Sequence, residues 1–402
     1  MGINFPAAPI IGELYPTPAI AGIPQYKWDG TAWLAMTPSA LTYVQRGGDT
    51  MTGHLALPVS PAAANAVRRD FVEAYAAPFD AMSYSGMQIN GGMEVNQTPG
   101  AVGAGGYVGD GWRVGTAGSM SVSALIDGTG GTLFYTPYRL LLSVTAGASL
   151  TTNDYTQVQQ YIEGYRVVRL QWGKTSAQPI TIGFWTAHHR TGLYSVVVRN
   201  GADNRSYATT YTQNAADIAQ YNVVTIPGDT TGTWTVDNTI GLKVAFSFGC
   251  GTAFTATSAN TWLAGNYIAA PGQINAAAAA TDVFRLTGVV VLPGSQAPTA
   301  AQSPLIMRPY DQELLTCERY YQKYTGMLVE GYQAAGGVVY KDHFLTTPMR
   351  AVPTLGATNH SFGNSSNLTI NQLAYNHIRL ALTITVQAYG FVTADVTLDA
   401  RL

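Results

Sequence analysis

Four aromatic side chains are the residues best suited to hold a ligand: Trp185, Tyr207, Trp234 and Trp262. A flat ring stacks on the apolar C–H face of a sugar, and flanking amides and hydroxyls replace the water its hydroxyls lose. Trp185 falls on the strand face opposite Ile182 and Phe184 and is expected to be exposed. Trp234 lies in a Gly-Thr-Trp-Thr turn, and Trp262 follows a polar Ser-Ala-Asn-Thr run. Each has a plainer alternative, because tryptophan in a β-sandwich more often completes the core. Other chemistry finds less support. His188-His189-Arg190 is the one histidine cluster, but neighbours on a strand point to opposite faces, so a polar loop or strand end is expected and not a metal site. Gly103-Ala-Gly-Gly-Tyr-Val-Gly109 misses the dinucleotide fingerprint, since Val108 holds its last glycine position, and reads as a flexible loop. Cleaving a glycan needs two carboxylates roughly 5 to 9.5 Å apart; Glu94, Asp110, Asp154 and Glu163 are available, and no spacing pairs them. No catalytic residue, metal or cofactor is expected.

The elements that position these side chains belong to a chain of 402 residues, more than one core usually organises. Charged residues make up 11%, against about a quarter in an ordinary soluble domain. The surface is therefore neutral, hydrogen-bonding and aromatic. With 21 Lys plus Arg against 23 Asp plus Glu and no basic run, nucleic acid is excluded as an expected partner. Cys250 and Cys317 fit no metal or redox spacing and are expected as reduced core thiols. No secretory pattern opens the chain and no apolar run approaches the ~20 residues of a membrane span, so assembly in a cytoplasm without membrane insertion is expected.

Residues 1–45 carry Pro6, Pro9, Pro16, Pro18 and Pro24 and are expected as an extended arm with a small hairpin, Tyr26, Trp28 and Trp33 around Asp29-Gly30. In residues 46–80, Ser60 and Pro61 can open a helix whose Val67, Phe71 and Tyr75 form one stripe. Such a stripe cannot bury itself and suits oligomerisation. Residues 81–300 alternate with period two. Ile180, Ile182 and Phe184 form one strand face and Leu242, Val244, Phe246 and Phe248 another, with further strands over 167–172, 193–199, 205–212, 222–226 and 284–292. The fold class expected is mainly β: antiparallel, lectin-like β-sandwich modules with an extended N-terminal arm and short helices. Residues 301–402 are expected as a linking helix over Asp311–Tyr324, capped by Asp311, and a terminal β domain marked by Ile378, Leu380, Leu382, Ile384 and Val386.

The Gly-Asp-x-Met-x-Gly-x-Leu string at 48–55, followed by Arg69-Asp70-Phe71-Val72, resembles the short repeat of bacteriophage tail-fibre proteins. More extensively, residues 90–318 resemble the carbohydrate-binding-module-like sandwich of phage tail-fibre and tail-spike proteins. That resemblance rests on Gln160–Tyr165, Gln178–Trp185, Val198–Gly201, Asn204–Tyr207, Val224–Trp234 and Arg308–Tyr321. It implies a homotrimeric, non-enzymatic virion subunit whose arm docks on other phage proteins and whose sandwich adheres to a bacterial surface polysaccharide. The alternatives are a head, collar or baseplate decoration protein that binds phage proteins alone, and a glycan-degrading tail spike.

Overall fold

The computed structural model describes residues 3–20, 23–36, 86–128 and 136–402. The stripe of Val67, Phe71 and Tyr75, with the rest of 46–80, lies outside the described residues. The chain divides into two units, Met1–Ala76 and Ala77–Leu402.

In the first unit, β1 (Leu14–Tyr15), β2 (Tyr26–Trp28) and β3 (Trp33–Ala35) form one antiparallel sheet in that order. Phe5 stacks on Trp33 at 5.1 Å and meets Tyr26 edge-on at 5.0 Å, so aromatic rings supply a small core. The β2–β3 hairpin turns over residues 29–32. Gly30 alone takes positive φ there, while the Asp29 carboxylate accepts hydrogen bonds from the Thr31 and Ala32 amides at 2.8 and 2.7 Å. The Asp29-Gly30 pair thus works through a side-chain cap, and not through two left-handed residues.

In the second unit, the sandwich strands are β4 (Trp112–Ala117), β5 (Ser121–Asp127), β6 (Arg139–Ala146), β7 (Tyr155–Glu163), β8 (Ile180–Thr186), β9 (Gly192–Arg199), β10 (Arg205–Gln213), β11 (Gln220–Ile226), β12 (Ile240–Cys250), β13 (Trp262–Ala264) and β14 (Val283–Pro293). They pair as a six-stranded sheet, β13-β10-β9-β12-β7-β4, and a five-stranded sheet, β11-β8-β14-β6-β5. The antiparallel sandwich expected from the alternation is therefore what the chain forms. Leu242, Val244, Phe246 and Phe248 point inward from β12 and meet Ile180, Ile182 and Phe184 from β8, all 0 or 1% exposed. Each such side chain contributes about 1.5–3 kcal/mol of burial.

Helix α2 (Tyr310–Glu318) leads to the terminal sheets β15-β20-β17 and β16-β19-β18, built from β15 (Tyr321–Gln333), β16 (Val338–Phe344), β17 (Thr354–Gly363), β18 (Ser365–Ala374), β19 (His377–Ile384) and β20 (Ala388–Asp399). Ile378, Leu380, Leu382 and Ile384 line their common core. Glu163 ties the two halves together, accepting hydrogen bonds from Arg319 Nε and Nη2 at 2.9 and 2.6 Å and from the Tyr320 hydroxyl at 2.8 Å.

Three expectations need correction. Residues 167–172 are not a strand: helix α1 (Gly164–Val167) runs into a 3-10 turn over Val168–Leu170. Val167 and Leu170, three apart, share one face of this helical turn and are both buried. The linking helix stops at Glu318, because Tyr321 and Tyr324 pair with Asp399 and Val396 of β20; Pro309, not Asp311, holds the N-cap position.

The third correction concerns His188, which follows the end of β8 at Thr186 as a strand end would, but whose side chain is buried in the core and not polar surface. It is fully buried, stacks on Phe284 at 4.2 Å and shares a 2.8 Å hydrogen bond with the Tyr211 hydroxyl, while His189 is exposed and bonds Asp217. Burial, helped by nearby Arg285, holds the His188 imidazole well below its ordinary pKa. Below about pH 6.5 the unfolded imidazole takes up a proton that the folded one refuses. The stability is complete above that pH and falls as pH drops through it, by about 1.4 kcal/mol per unit from this group. In an NMR titration His188 should stay neutral down to the acid transition; a midpoint near 6.5 in the folded protein contradicts its burial.

Candidate functional site

Strand β7 carries on its outward face Tyr155, Gln157, Gln159 and Tyr161, and on its inward face Val158, Gln160 and Ile162. Registration across the sheet extends this column into rows. Arg113 of β4 stands beside Gln159, Gln159 beside Ala245 of β12, and Ala245 beside Val197 of β9. One step along, Tyr161, Lys243, Arg199 and Ser206 form the next row, and Gly115, Gln157, Ser247 and Ser195 form a third. Small residues in these rows leave room for long side chains to lie flat. A β-carbon on Gly115 would stand 3.0 and 3.1 Å from the amide nitrogens of Gln157 and Gln159, so both amides lean over it.

The outward side chains between the two tyrosines of β7 form the floor of a groove that is polar and closely packed, with Gln157 2% and Gln159 5% exposed. Arg199, 3% exposed, donates from Nη2 to the Gln159 and Gln157 carbonyls at 3.0 and 3.3 Å, and from Nη1 to Asn266 and Asp203 at 2.6 and 3.0 Å. Lys243 donates to the other Asp203 oxygen at 2.5 Å. The Tyr161 hydroxyl accepts from Gln159 at 3.1 Å and from Arg113 at 3.3 Å. At the far end of the column Tyr155 packs edge-on against Phe254, ring centroids 5.2 Å apart. Two half-buried tyrosines, six residues and so roughly 20 Å apart along one strand, thus bracket a pair of amides. Burial lowers the pKa of both Arg199 and Lys243, against the pull of Asp203.

The four aromatics singled out by sequence lie elsewhere. Trp185 is on the face opposite Ile182 and Phe184, as expected, yet is only 8% exposed. The segment 298–303 covers it: its indole donates to Ser303 at 2.9 Å, and it packs on Tyr221, whose hydroxyl bonds Pro298. Tyr207, Trp234 and Trp262 do come together, around Trp172. Trp234 and Trp262 meet its ring at 4.6 and 5.3 Å, both near-perpendicular, and Tyr207 meets Trp262 at 5.2 Å. All three indole N–H groups are held by protein acceptors: Gln178 O for Trp172, Asp229 for Trp234, Pro227 O for Trp262. This group closes the core and leaves a hollow of about 230 Å³ beside Trp172 and Trp234. None of the four acids joins the polar network of the groove: Glu94 is half-buried near Glu313, and the other three are bonded elsewhere. Glu163 is engaged by Arg319 and Tyr320, Asp110 by Gln97, and Asp154 by Thr151. Among the described residues no group of three or more His, Cys, Asp or Glu could hold a metal ion.

Fold and groove define an antiparallel β-sandwich protein with a buried polar network on the outer face of one sheet. No known protein family matches the sequence, and no curated protein matches it. Among solved structures the chain is similar to the enzymatically active domain of bacteriophage CBA120 tailspike protein 4, at 11% identity and TM-score 0.29, over 52% of this chain and 22% of that one. The chain thus spans less than a quarter of that structure's length. It is also similar to TmCBM61 in complex with β-1,4-galactotriose, at 11% identity and TM-score 0.27 over 52% of this chain and 98% of that one. A third likeness is to the family 11 carbohydrate-binding module of Clostridium thermocellum in complex with a β-1,3-1,4-mixed-linked tetrasaccharide, at 13% identity and TM-score 0.26 over 50% and 100% of the two chains. Likenesses of this size carry no weight for what this chain binds.

Proposed function

We propose that the sandwich binds a bacterial surface glycan along the outer face of its six-stranded sheet. The observation that carries this reading is the Tyr155–Gln157–Gln159–Tyr161 column, which sets two aromatic side chains around two amides on a groove floor joined by Arg199. The half-buried tyrosines offer apolar contact and hydroxyls at each end, the half-buried Arg113 offers donors to sugar hydroxyls, and the buried amides and Arg199 hold these groups in place. In the same reading the chain is a non-enzymatic subunit of a phage tail fibre. The tail-fibre-like strings at 48–55 and 69–72 support that part, with residues 1–45 docking on other phage proteins and three copies acting together. One site contributes weakly, so adhesion depends on avidity.

The test is an array of bacterial surface polysaccharides probed with the intact, assembled protein. Binding to a polysaccharide without release of fragments supports adhesion. Fragment release supports the glycan-degrading alternative, and a silent array supports head, collar or baseplate decoration.

A further inference from the structure

The groove gathers more positive charge than it neutralises. Arg113, Arg199 and Lys243 converge on the Tyr161 end: Arg113 and Lys243 lie 6.0 and 5.3 Å from the Tyr161 ring centroid, and Lys243 and Arg199 are direct cross-strand neighbours. The carboxylate that meets them is Asp203, bonded to Arg199 and Lys243 together. Three cations against one carboxylate leave a local surplus of two positive charges, in a chain whose net charge is −2. The surplus is held where it is costly. Arg199 and Lys243 are 3 and 6% exposed, and Arg199 Nε is a buried donor with no acceptor among the described residues. Buried cations persist when paired, and a buried guanidinium with an orphaned donor lacks part of its counter-charge. Arg113 stands on the edge strand β4, half-buried, donating from Nε to the Gly105 carbonyl and from Nη1 to the Tyr161 hydroxyl.

We infer that the groove selects acidic glycans, seating a sugar carboxylate on the half-buried Arg113 guanidinium at the Tyr161 end, above the buried charges of Lys243 and Arg199. This rests on the glycan-binding reading above and adds the class of sugar. Guanidinium and ammonium donate charge-assisted hydrogen bonds to a carboxylate, whereas a neutral hydroxyl in its place leaves the surplus uncompensated. A polymer of uronic acids presents such a carboxylate in every repeat.

The experiment uses the intact protein and two sets of polysaccharides: native acidic polymers, among them alginate, polygalacturonate and uronate-bearing bacterial capsules, and the same polymers after chemical reduction of their carboxyl groups to neutral alcohols. Acidic polymers should bind, their reduced twins should bind at least about tenfold more weakly, and Arg113→Gln should shrink that ratio while the melting temperature stays unchanged. Equal binding of native and reduced forms, or binding confined to neutral polymers, overturns acid selection and leaves glycan binding standing. Silence on both sets, with neutral bacterial polysaccharides also on the array, overturns the glycan-binding reading and this inference with it.

Discussion

Replacing Trp172 by alanine lowers the stability of the sandwich by about 3–5 kcal/mol and leaves glycan affinity per folded molecule unchanged. The side chain is 8% exposed and meets the rings of Trp234 and Trp262 at 4.6 and 5.3 Å. Aromatic pairs of this kind are worth about 0.5–1.5 kcal/mol each beyond the area they bury. Its indole also satisfies the Gln178 carbonyl at 2.6 Å, which alanine would leave without that donor. Urea unfolding followed by tryptophan-independent circular dichroism reads the loss. A change below about 1 kcal/mol would show that the group is not a closure of the core, and a loss of affinity in the folded fraction would move the ligand to the hollow beside it.

The double variant Tyr155→Ala/Tyr161→Ala behaves in the opposite way: affinity falls at least about thirtyfold while the fold persists. Apolar contact with a ring contributes on the order of 1 kcal/mol, so two lost contacts make roughly a thirtyfold change. Tyr161 adds to this through its hydroxyl, which holds both the Gln159 amide and the Arg113 guanidinium in place. Both tyrosines are half-buried on the outer face of the sheet and stand outside the inward-facing core, so truncation removes no core contact. Calorimetric titration with a bound oligosaccharide, alongside thermal melting, separates affinity from stability. Unchanged affinity in the double variant would remove the groove from the account.

Much of the fold was legible because it follows from period two. The inward sets of β8 and β12 alternate cleanly, and a half-buried strand has no other way to bury them. Residues 167–172 were misread because Val167, Leu170 and Trp172 are apolar in a β-rich stretch, and spacing over so short a run does not separate a strand from a helical turn. That error also hid Trp172 as the centre of the aromatic group. For Trp185 the strand face was read correctly and the exposure was not. What covers it returns from Ser303, 118 residues further along the chain, and alternation within one strand carries no record of distant cover.

The groove was harder to see for a physical reason. Gln157 and Gln159 are polar and point away from the core, which within one strand looks like any solvated face. They become a floor when β12 and β9 bring Lys243 and Arg199 alongside and Asn266 closes over Arg199. The available signal was the alternation itself, tyrosine–glutamine–glutamine–tyrosine at every second residue from 155 to 161, on a strand whose other face is Val158, Gln160 and Ile162. An amide pair between two aromatics on one outward face repays attention before isolated tryptophans do.

Hydroxyl-radical footprinting of the intact protein, with and without a polysaccharide it binds, tests the central claim most directly because it reads aromatic side chains one by one. Glycan binding on the sheet face predicts protection of Tyr155, Tyr161 and the neighbouring Phe254, with Trp234 and Trp262 oxidised at the same rate in both samples. Protection of Trp234 and Trp262 with Tyr155 and Tyr161 unaffected would contradict it.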